Sequence, residues 1–457
     1  MKPLLPLLCT LLVSCSLFRD EPKVIVLVTF DTTRADAISA YGDDNASTPN
    51  LDALAARGVR FEMALTPLPT TLGSHTSMMS GLDTHGHHVP RNGTPVPESV
   101  PLLAEKLQAA GWDRIAVVGA MPLKASMGLS RGFRAYLDTS LNEQPRRTAD
   151  QVTDDALRAI DARPDDSPLF LFVHYYDPHT PWIEAPQDIR DKFVSPDFKV
   201  PDKGRKSLKG LQARSRKGQK IGRKLARSMR KLYLAQVHWT DQEFGRLMDG
   251  LKTRGLMDNA LIIMTADHGE MLSESHLGQV YTHGPDVDLP VTRVPMIVAG
   301  SGDFQTPKNQ VVSRRVRLQD IANTILGQAK LTQDLGTGED LATVWSGTAG
   351  PPPPHFAEAT RSGISPLKGK ASPDEWANAH YERAIFDDEA MLVWTPWRKQ
   401  PPSLFTLTAE QRPLDAPEKL TGLKAKLDDW DARAPAKAPA VLDAKTEEAL
   451  RSLGYLE

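Results

Sequence analysis

The 457-residue chain has only two cysteines, Cys9 and Cys15, both within its first fifteen positions. The rest of the chain therefore holds no disulfide, no thiolate metal site and no cysteine nucleophile. A long hydrophobic run is also missing. The apolar stretch of "MKPLLPLLCTLLVSCS" is too short to span a bilayer. Charge does not lean to either sign: 55 Lys and Arg against 57 Asp and Glu leave a formal net charge of −2, which points to no nucleic-acid or acidic partner. No internal repeat is present. What the chain does have is 40% hydrophobic residues and enough length for one large domain plus a smaller one.

The N-terminus reads as a targeting segment. One positive residue, a short apolar run and then small residues form a secretory pattern. The ending "LVSC" resembles a bacterial lipobox, in which Cys15 is lipidated and becomes the mature N-terminus. A buried core strand is the alternative, disfavoured because the run starts at residue 3 and leads into the charged linker "RDEP". Ser16 fits sorting to the outer membrane of a Gram-negative cell envelope. Lipid chains contribute about 0.8 kcal/mol per buried CH₂, enough for a tether once more than one is attached.

Beyond the linker, "KVIVLVTFD" is a continuous β-branched run, as expected of a strand buried on both faces of a parallel sheet. It stops at Asp31. "NALIIMTADHGE" repeats the pattern and ends on Asp267 and His268; "DRIAVVGA" and "PLFLFVHYYDPHTPW" lie between, the latter ending in His174, Asp177 and His179. Helical patterns alternate with them, including a long one from about Ile221 to Leu251. The fold class is α/β, doubly wound, with a mostly parallel sheet flanked by helices. Near the C-terminus, "VWSGTAGPPPPHFAEAT" reads as a stiff linker, and "ERAIFDDEAMLVWTPW" with "PPSLFTLTAEQRPLD" as a small antiparallel subdomain.

In open α/β sheets the ligand crevice lies at the carboxyl ends of the strands, where Asp31, Asp267 and His268 fall. Carboxylate plus imidazole suits Zn²⁺ or Mn²⁺, with Ca²⁺ or Mg²⁺ also compatible. Structural capping is the competing role for these residues. The hydroxyl-rich "PTTLGSHTSMMSG" at Pro69–Gly81 opens what reads as a small-residue helix, so Thr71 is either a helix cap or a nucleophile.

The stretch "TFDTTRADAISAYGDDNASTPNLDALAARGVRFEMALTPLPTTLGSHTSMMSGLDTHGHHV" resembles the N-terminal signature of the sulfatase family, within the alkaline phosphatase superfamily. "FVHYYDPHTPW", "TADHGEMLSESHLG" and "TRVPMIVAG" come next in the family's order, and "LRSLGYL" at Leu450–Leu456 is similar to a terminal helix of bacterial members. The resemblance implies a metal-dependent ester hydrolase with a domain at residues 23–345. A lipoprotein signal at 1–15 and a linker at 16–22 precede it, and a linker with the C-terminal subdomain occupies 346–457. Asp31, Asp267 and His268 become metal ligands, joined by Thr71 at the nucleophile position. One divalent ion is the expected count, with a second left open. His179 and His283 are expected as catalytic proton carriers, and Arg34, His75 and Asp177 as substrate-binding residues.

This chain departs from the family where the chemistry starts. Working sulfatases carry Cys or Ser in a Cys/Ser-x-Pro-x-Arg pattern that is oxidised to formylglycine. Here the positions read Thr71-Leu72-Gly73-Ser74-His75, and threonine cannot give that aldehyde. Thr32 replaces the second Asp of the first pair, and His268 replaces the Asn of the later one. These changes resemble branches in which an unmodified Thr attacks phosphorus, so a phosphate ester or diester is favoured over a sulfate ester. A phosphoryl or phospho-alcohol transferase of the envelope and a catalytically silent binding lipoprotein are the alternatives. The stretch Lys203–Lys231 carries thirteen Lys or Arg and no acid. It is either a solvated insertion or a docking surface for an anionic partner such as an envelope lipid or glycan, with nucleic acid disfavoured because no aromatic platform accompanies it.

Overall fold

The structure is a computed structural model that describes residues 23–42, 45–138, 146–195, 198, 205–274, 280–360, 381–395, 400–408, 411–434 and 448. The expectations for the signal segment, Cys15 and its linker, and for the terminal helix at Leu450–Leu456, fall outside these residues. No helix among the described residues is long and apolar enough to cross a membrane.

The strands are β1 (Val24–Phe30), β2 (Val59–Phe61), β3 (Ala64–Leu65), β4 (Asp113–Val118), β5 (Ala135–Leu137), β6 (Leu169–Tyr175), β7 (Ala260–Ala266), β8 (Arg293–Val294), β9 (Met296–Gly300), β10 (Gln310–Val312), β11 (Val316–Arg317), β12 (His355–Thr360), β13 (Tyr381–Phe386), β14 (Ala390–Trp394) and β15 (Ser403–Thr406). Eight form the main sheet in the order β10-β2-β9-β7-β1-β6-β4-β5. From β7 through β5 every neighbouring pair is parallel, while β9 runs antiparallel to both β7 and β2. The expected mostly parallel, helix-flanked sheet is what forms.

Every residue of β1 is buried, because the strand is covered on both faces. Its side chains alternate between two cores. Ile25 and Leu27 join the core that takes Leu72, Met78 and Met79 from α2 (Thr71–Ser80), which comes after α1 (Pro49–Arg57) in the chain. Val24, Val26, Val28 and Phe30 join the other, against α1, against α5 (Ala149–Asp161), and against α8 (Arg223–Thr253). Between these lie α3 (Thr84–His87), α4 (Leu103–Ala109), α6 (Gln187–Phe193) and α7 (Arg205–Arg216). The helix expected from about Ile221 to Leu251 is α8.

The proline-rich stretch before the C-terminal subdomain needs one correction. Its last six residues are not linker but strand β12, which pairs along its length with β13 in the antiparallel order β12-β13-β14-β15. The prolines stop at Pro354, and the residues after them, "HFAEAT", alternate between the two faces of a sheet. This sheet is tied to the loop that leads into α2: the Glu358 amide donates to the Pro67 carbonyl at 3.0 Å, and His355 Nε2 to the Thr66 carbonyl at 3.0 Å. The final described helix, Pro417–Asp431, packs Leu423, Leu427 and Trp430 against it.

Candidate functional site

Register places the acidic residues. Phe30 at the end of β1 pairs with Ala266 of β7 on one side and Tyr175 of β6 on the other, so Asp31 and Asp267 leave adjacent strands at one level. Both are fully buried. The Oδ1 of Asp267 accepts the amides of Thr32 at 3.1 Å and His268 at 2.9 Å, which fixes that carboxylate. His268 Nδ1 donates to the Gly269 carbonyl at 3.0 Å, leaving Nε2 with its lone pair 3.4 Å from Asp267 Oδ2. Asp31, Asp267 and His268 bring one ligand atom each within 4.8 Å of one another.

A cation fits this set on the chemistry of its unmet atoms. Both carboxylate oxygens of Asp31, Oδ2 of Asp267, Nε2 of His268 and the hydroxyls of Thr71 and Thr32 are buried with no hydrogen-bond partner. Leaving so many polar atoms dry and unpaired is costly, and a divalent ion among Asp31, Asp267 and His268 would satisfy one atom of each. Burial pushes the Asp31 carboxyl up to about 7, with His268 opposing the shift.

Thr71 is the first residue of α2, and its placement rests on contacts distant in sequence. The Ser74 hydroxyl donates to the Asp267 carbonyl at 2.7 Å, bolting the helix to the end of β7. Gly73 lets the helix pack close to the chain at Val89 and Leu68: a Cβ there would stand 2.7 Å from the Val89 carbonyl oxygen and 2.9 Å from Leu68 Cδ1. Thr70 occupies the cap position with no side-chain hydrogen bond to the helix. The cap comes instead from Asn92, whose Oδ1 accepts the Leu72 amide at 2.8 Å. Both threonine hydroxyls are thus released from capping.

Sequence reasoning left His174, Glu270 and Asn92 without a role. His174, a lone polar side chain in an otherwise apolar strand, lies opposite Thr29 and has Nε2 3.2 Å from Asp31 Oδ2. Its two ring nitrogens are buried without hydrogen-bond partners, and burial lowers its pKa to about 4. Glu270, three residues after Asp267 in "DHGE", accepts from His283 Nδ1 at 3.4 Å when ionised. Burial pushes its carboxyl up to about 8, against the pull of His268 and Arg34. Both were legible only as polar groups in buried surroundings, a signal that composition does not separate from ordinary packing.

His283 sits between His268 and His179, with ring centroids 4.5 and 4.9 Å away. His179 lies over the Tyr176 ring at 4.5 Å, and its Nδ1 is 2.8 Å from the Thr180 carbonyl and 2.9 Å from the Tyr176 hydroxyl. Three imidazoles therefore form a row leading away from the buried carboxylates. Burial lowers the His283 pKa to about 4, so its ring is neutral near pH 7.

The structure gives protein surroundings to the three expected substrate-binding residues. Arg34 makes a two-pronged pair with Asp36, at 2.8 and 2.7 Å, and its Nη1 donates to Glu274 at 3.0 Å and to the Glu270 carbonyl at 3.2 Å. It staples the loop after β1 to the loop after β7. His75 faces the core: Nδ1 donates to the Thr71 carbonyl at 2.7 Å and Nε2 accepts from the Thr29 hydroxyl at 2.9 Å, so neither nitrogen is left for a substrate. Asp177 is buried toward the Ala149 amide and the Trp239 indole, with burial first and then Glu184 and Asp150 pushing its carboxyl up to about 7. It turns to the α5 and α8 side of the sheet.

Thr32 holds a left-handed backbone, φ 52°, costly for a β-branched residue by about 1–3 kcal/mol. Its amide is held by Asp267, and its carbonyl accepts the Tyr233 hydroxyl at 2.9 Å. Tyr233 also accepts the Arg34 amide at 2.8 Å. Helix α8 thereby pins the loop after Asp31.

The family model described as Sulfatase matches residues 23–331. An ulvan-active sulfatase of Formosa agariphila is 24% identical over 388 residues, covering 77% of this chain and 70% of that protein. The human N-sulphoglucosamine sulphohydrolase is 26% identical over 338 residues, 70% of this chain and 63% of that protein. Among solved structures, a phosphonate monoester hydrolase of Agrobacterium radiobacter superposes with a TM-score of 0.69 at 20% identity, over 91% of this chain and 97% of that one. The span matched by the family model runs from β1 through the sheet and takes in both carboxylates, the Thr71 helix and the histidine row; the chain belongs to the sulfatase family.

Proposed function

We propose that this sulfatase-family ester hydrolase cleaves a phosphate ester or diester, with Thr71 itself as the attacking group. The observation that carries the reading is the Thr71 hydroxyl, buried and without a protein partner at the start of a helix bolted to the Asp267 loop. A threonine cannot supply a formylglycine hydrate, and a hydroxyl excluded from water and from capping is free to react. The likeness to a phosphonate monoester hydrolase supports a phosphorus centre within the same fold.

Asp31, Asp267 and His268, with Thr71, would hold a divalent metal ion. When bound, the ion would supply positive charge that favours the Thr71 alkoxide and offsets the anionic ester oxygens. The chain's own residues do the rest. Thr71 gives its hydroxyl proton to solvent, its Oγ1 forms a bond to phosphorus as the bond to the ester oxygen breaks, and the leaving oxygen takes a proton from the imidazolium of His179, beside the neutral ring of His283. The amino end of α2 faces the developing charge with its positive dipole. Water then attacks phosphorus and gives a proton to His179, and Thr71 Oγ1 leaves phosphorus and takes back a proton from solvent. The Glu270 contact at Nδ1 of His283 leaves Nε2 of that ring for proton exchange. The same reading has the enzyme outside the cytoplasm, lipid-anchored through Cys15, on the strength of the "LVSC" segment.

The test pairs metal analysis of the purified protein with turnover of aryl sulfate, phosphate monoester and phosphodiester substrates by the wild type and Thr71→Ala. Phosphorus esters are expected to turn over in the wild type and to fail in the variant. Equal rates in the two proteins would remove Thr71 from the mechanism.

A further inference from the structure

The stretch with thirteen basic residues and no acid is built onto the two loops that carry the site. Helix α7 buries Leu208 and Leu211 in the core, and its Gln212 Nε2 donates to the Tyr281 carbonyl at 2.8 Å, two residues before His283. Helix α8 joins the other loop: Tyr233 accepts the Arg34 amide and donates to the Thr32 carbonyl, and Arg230 lies 3.4 Å from Asp36. Arg223, the first residue of α8, is ten positions before Tyr233, so at 1.5 Å per residue it lies about 15 Å further along the helix axis. Arg214, Lys217, Lys220, Arg223, Lys224 and Arg227 are all exposed across the end of α7, the turn and the start of α8.

From this we infer that the α7–α8 basic surface holds an extended anionic polymer, such as a glycan bearing many sulfate or phosphate groups, whose ester units are presented to the Thr71 site. The inference rests on the reading of the site as an ester hydrolase. It adds that the substrate is polymeric and that affinity comes from charges beyond the ester being cut.

Charge complementarity selects the occupant. Six exposed cations within fourteen residues, on a chain with a net charge of −2, make a local positive field that captures a polyanion at long range and weakens with salt. A membrane is the poorer match. A helix that lies in a lipid interface presents an apolar face outward, whereas the leucines of α7 are turned into the fold and Val311, outside this surface, is the large hydrophobic with marked exposure among the described residues.

The experiment compares the wild type with a variant carrying Lys217→Gln, Lys220→Gln, Arg223→Gln and Lys224→Gln. All four side chains are exposed, so the fold should persist, checked by thermal melting. Binding of fluorescent dextran sulfate is expected to weaken about tenfold in the variant, and in the wild type as salt rises. Turnover of a small aryl phosphate ester without polymer should be unchanged. Equal polymer binding by both proteins would overturn the proposal, as would wild-type binding to phosphatidylglycerol vesicles with none to dextran sulfate. If neither protein cleaves any small ester, the hydrolase reading fails while the polymer measurement still reports on the surface.

Discussion

His283 Nδ1 lies 3.4 Å from Glu270 Oε1, joining the middle ring of the histidine row to a carboxyl that is fully buried. The contact sets which ring nitrogen is engaged and which is left for proton exchange. Glu270→Ala should lower kcat about 10- to 100-fold with little change in KM, because the ring loses its orientation rather than the substrate its contacts. Glu270→Gln, which can still hydrogen-bond Nδ1, should recover part of that loss. Steady-state kinetics on both variants, with melting curves to confirm the fold, check this.

Residue 71 is expected to be plain threonine in protein purified from a host with a formylglycine-generating enzyme, by intact mass and peptide mapping. Thr71→Cys should also stay unoxidised there, since the adjoining Leu72-Gly73-Ser74-His75 lacks the Pro and Arg of the matured pattern. Thr71→Ser should keep measurable turnover. Appearance of an aldehyde in the Cys variant would show that the local fold alone directs maturation.

The Thr71 helix depends on the missing Cβ at Gly73 and on Asn92. Gly73→Ala must displace backbone at Val89 and should cost about 1–3 kcal/mol in denaturant unfolding, together with most activity. Asn92→Ala strips the cap from the Leu72 amide and should cost about 1 kcal/mol. A Gly73→Ala protein with wild-type stability and rate would mean that the chain at Val89 and Leu68 yields to the added methyl without moving Thr71.

Stability should fall as pH rises above 6.5 through the contact between α3 and the C-terminal subdomain. His85 stacks on Trp430 with centroids 3.6 Å apart, and its Nε2 is 3.3 Å from Glu358 Oε2. Burial opposes its charge, but the Glu358 hydrogen bond, then Glu358, Asp83 and Asp431, raise its pKa above the ordinary value of 6.5. A raised folded pKa gives stability that is fully present below 6.5 and is lost as pH climbs through the folded value. The melting temperature should drop by about 2 °C or more across that range in the wild type and vary less in His85→Gln.

The sheet and the meeting of its two acidic strand ends were legible because both arise from strand-scale patterns. An all-apolar run ending in a carboxylate specifies a buried parallel strand and the level at which its Asp emerges, and this holds for Asp31 and Asp267. The direction of the chain beyond a strand end is decided by contacts that spacing does not encode. Asp177 comes two residues after β6 and turns toward α5, Arg34 is spent on Asp36, and His75 faces inward because helix periodicity puts it under Thr71, one turn on. Asn92 caps a helix from twenty positions away, beyond any local capping motif.

The rung at Phe30, with Ala266 on one side and Tyr175 on the other, also bears on how such a protein changes over evolutionary time. Asp31 and Asp267 are carried by hydrogen-bonded neighbours, and shifting either by one residue would move it to the other face of the sheet. Thr71 belongs to a separate helix that reaches the same place through Ser74 and a loop. A lineage can therefore exchange the side chain at position 71 by a point substitution while the carboxylates stay locked by strand pairing, so a change at that position need not disturb folding.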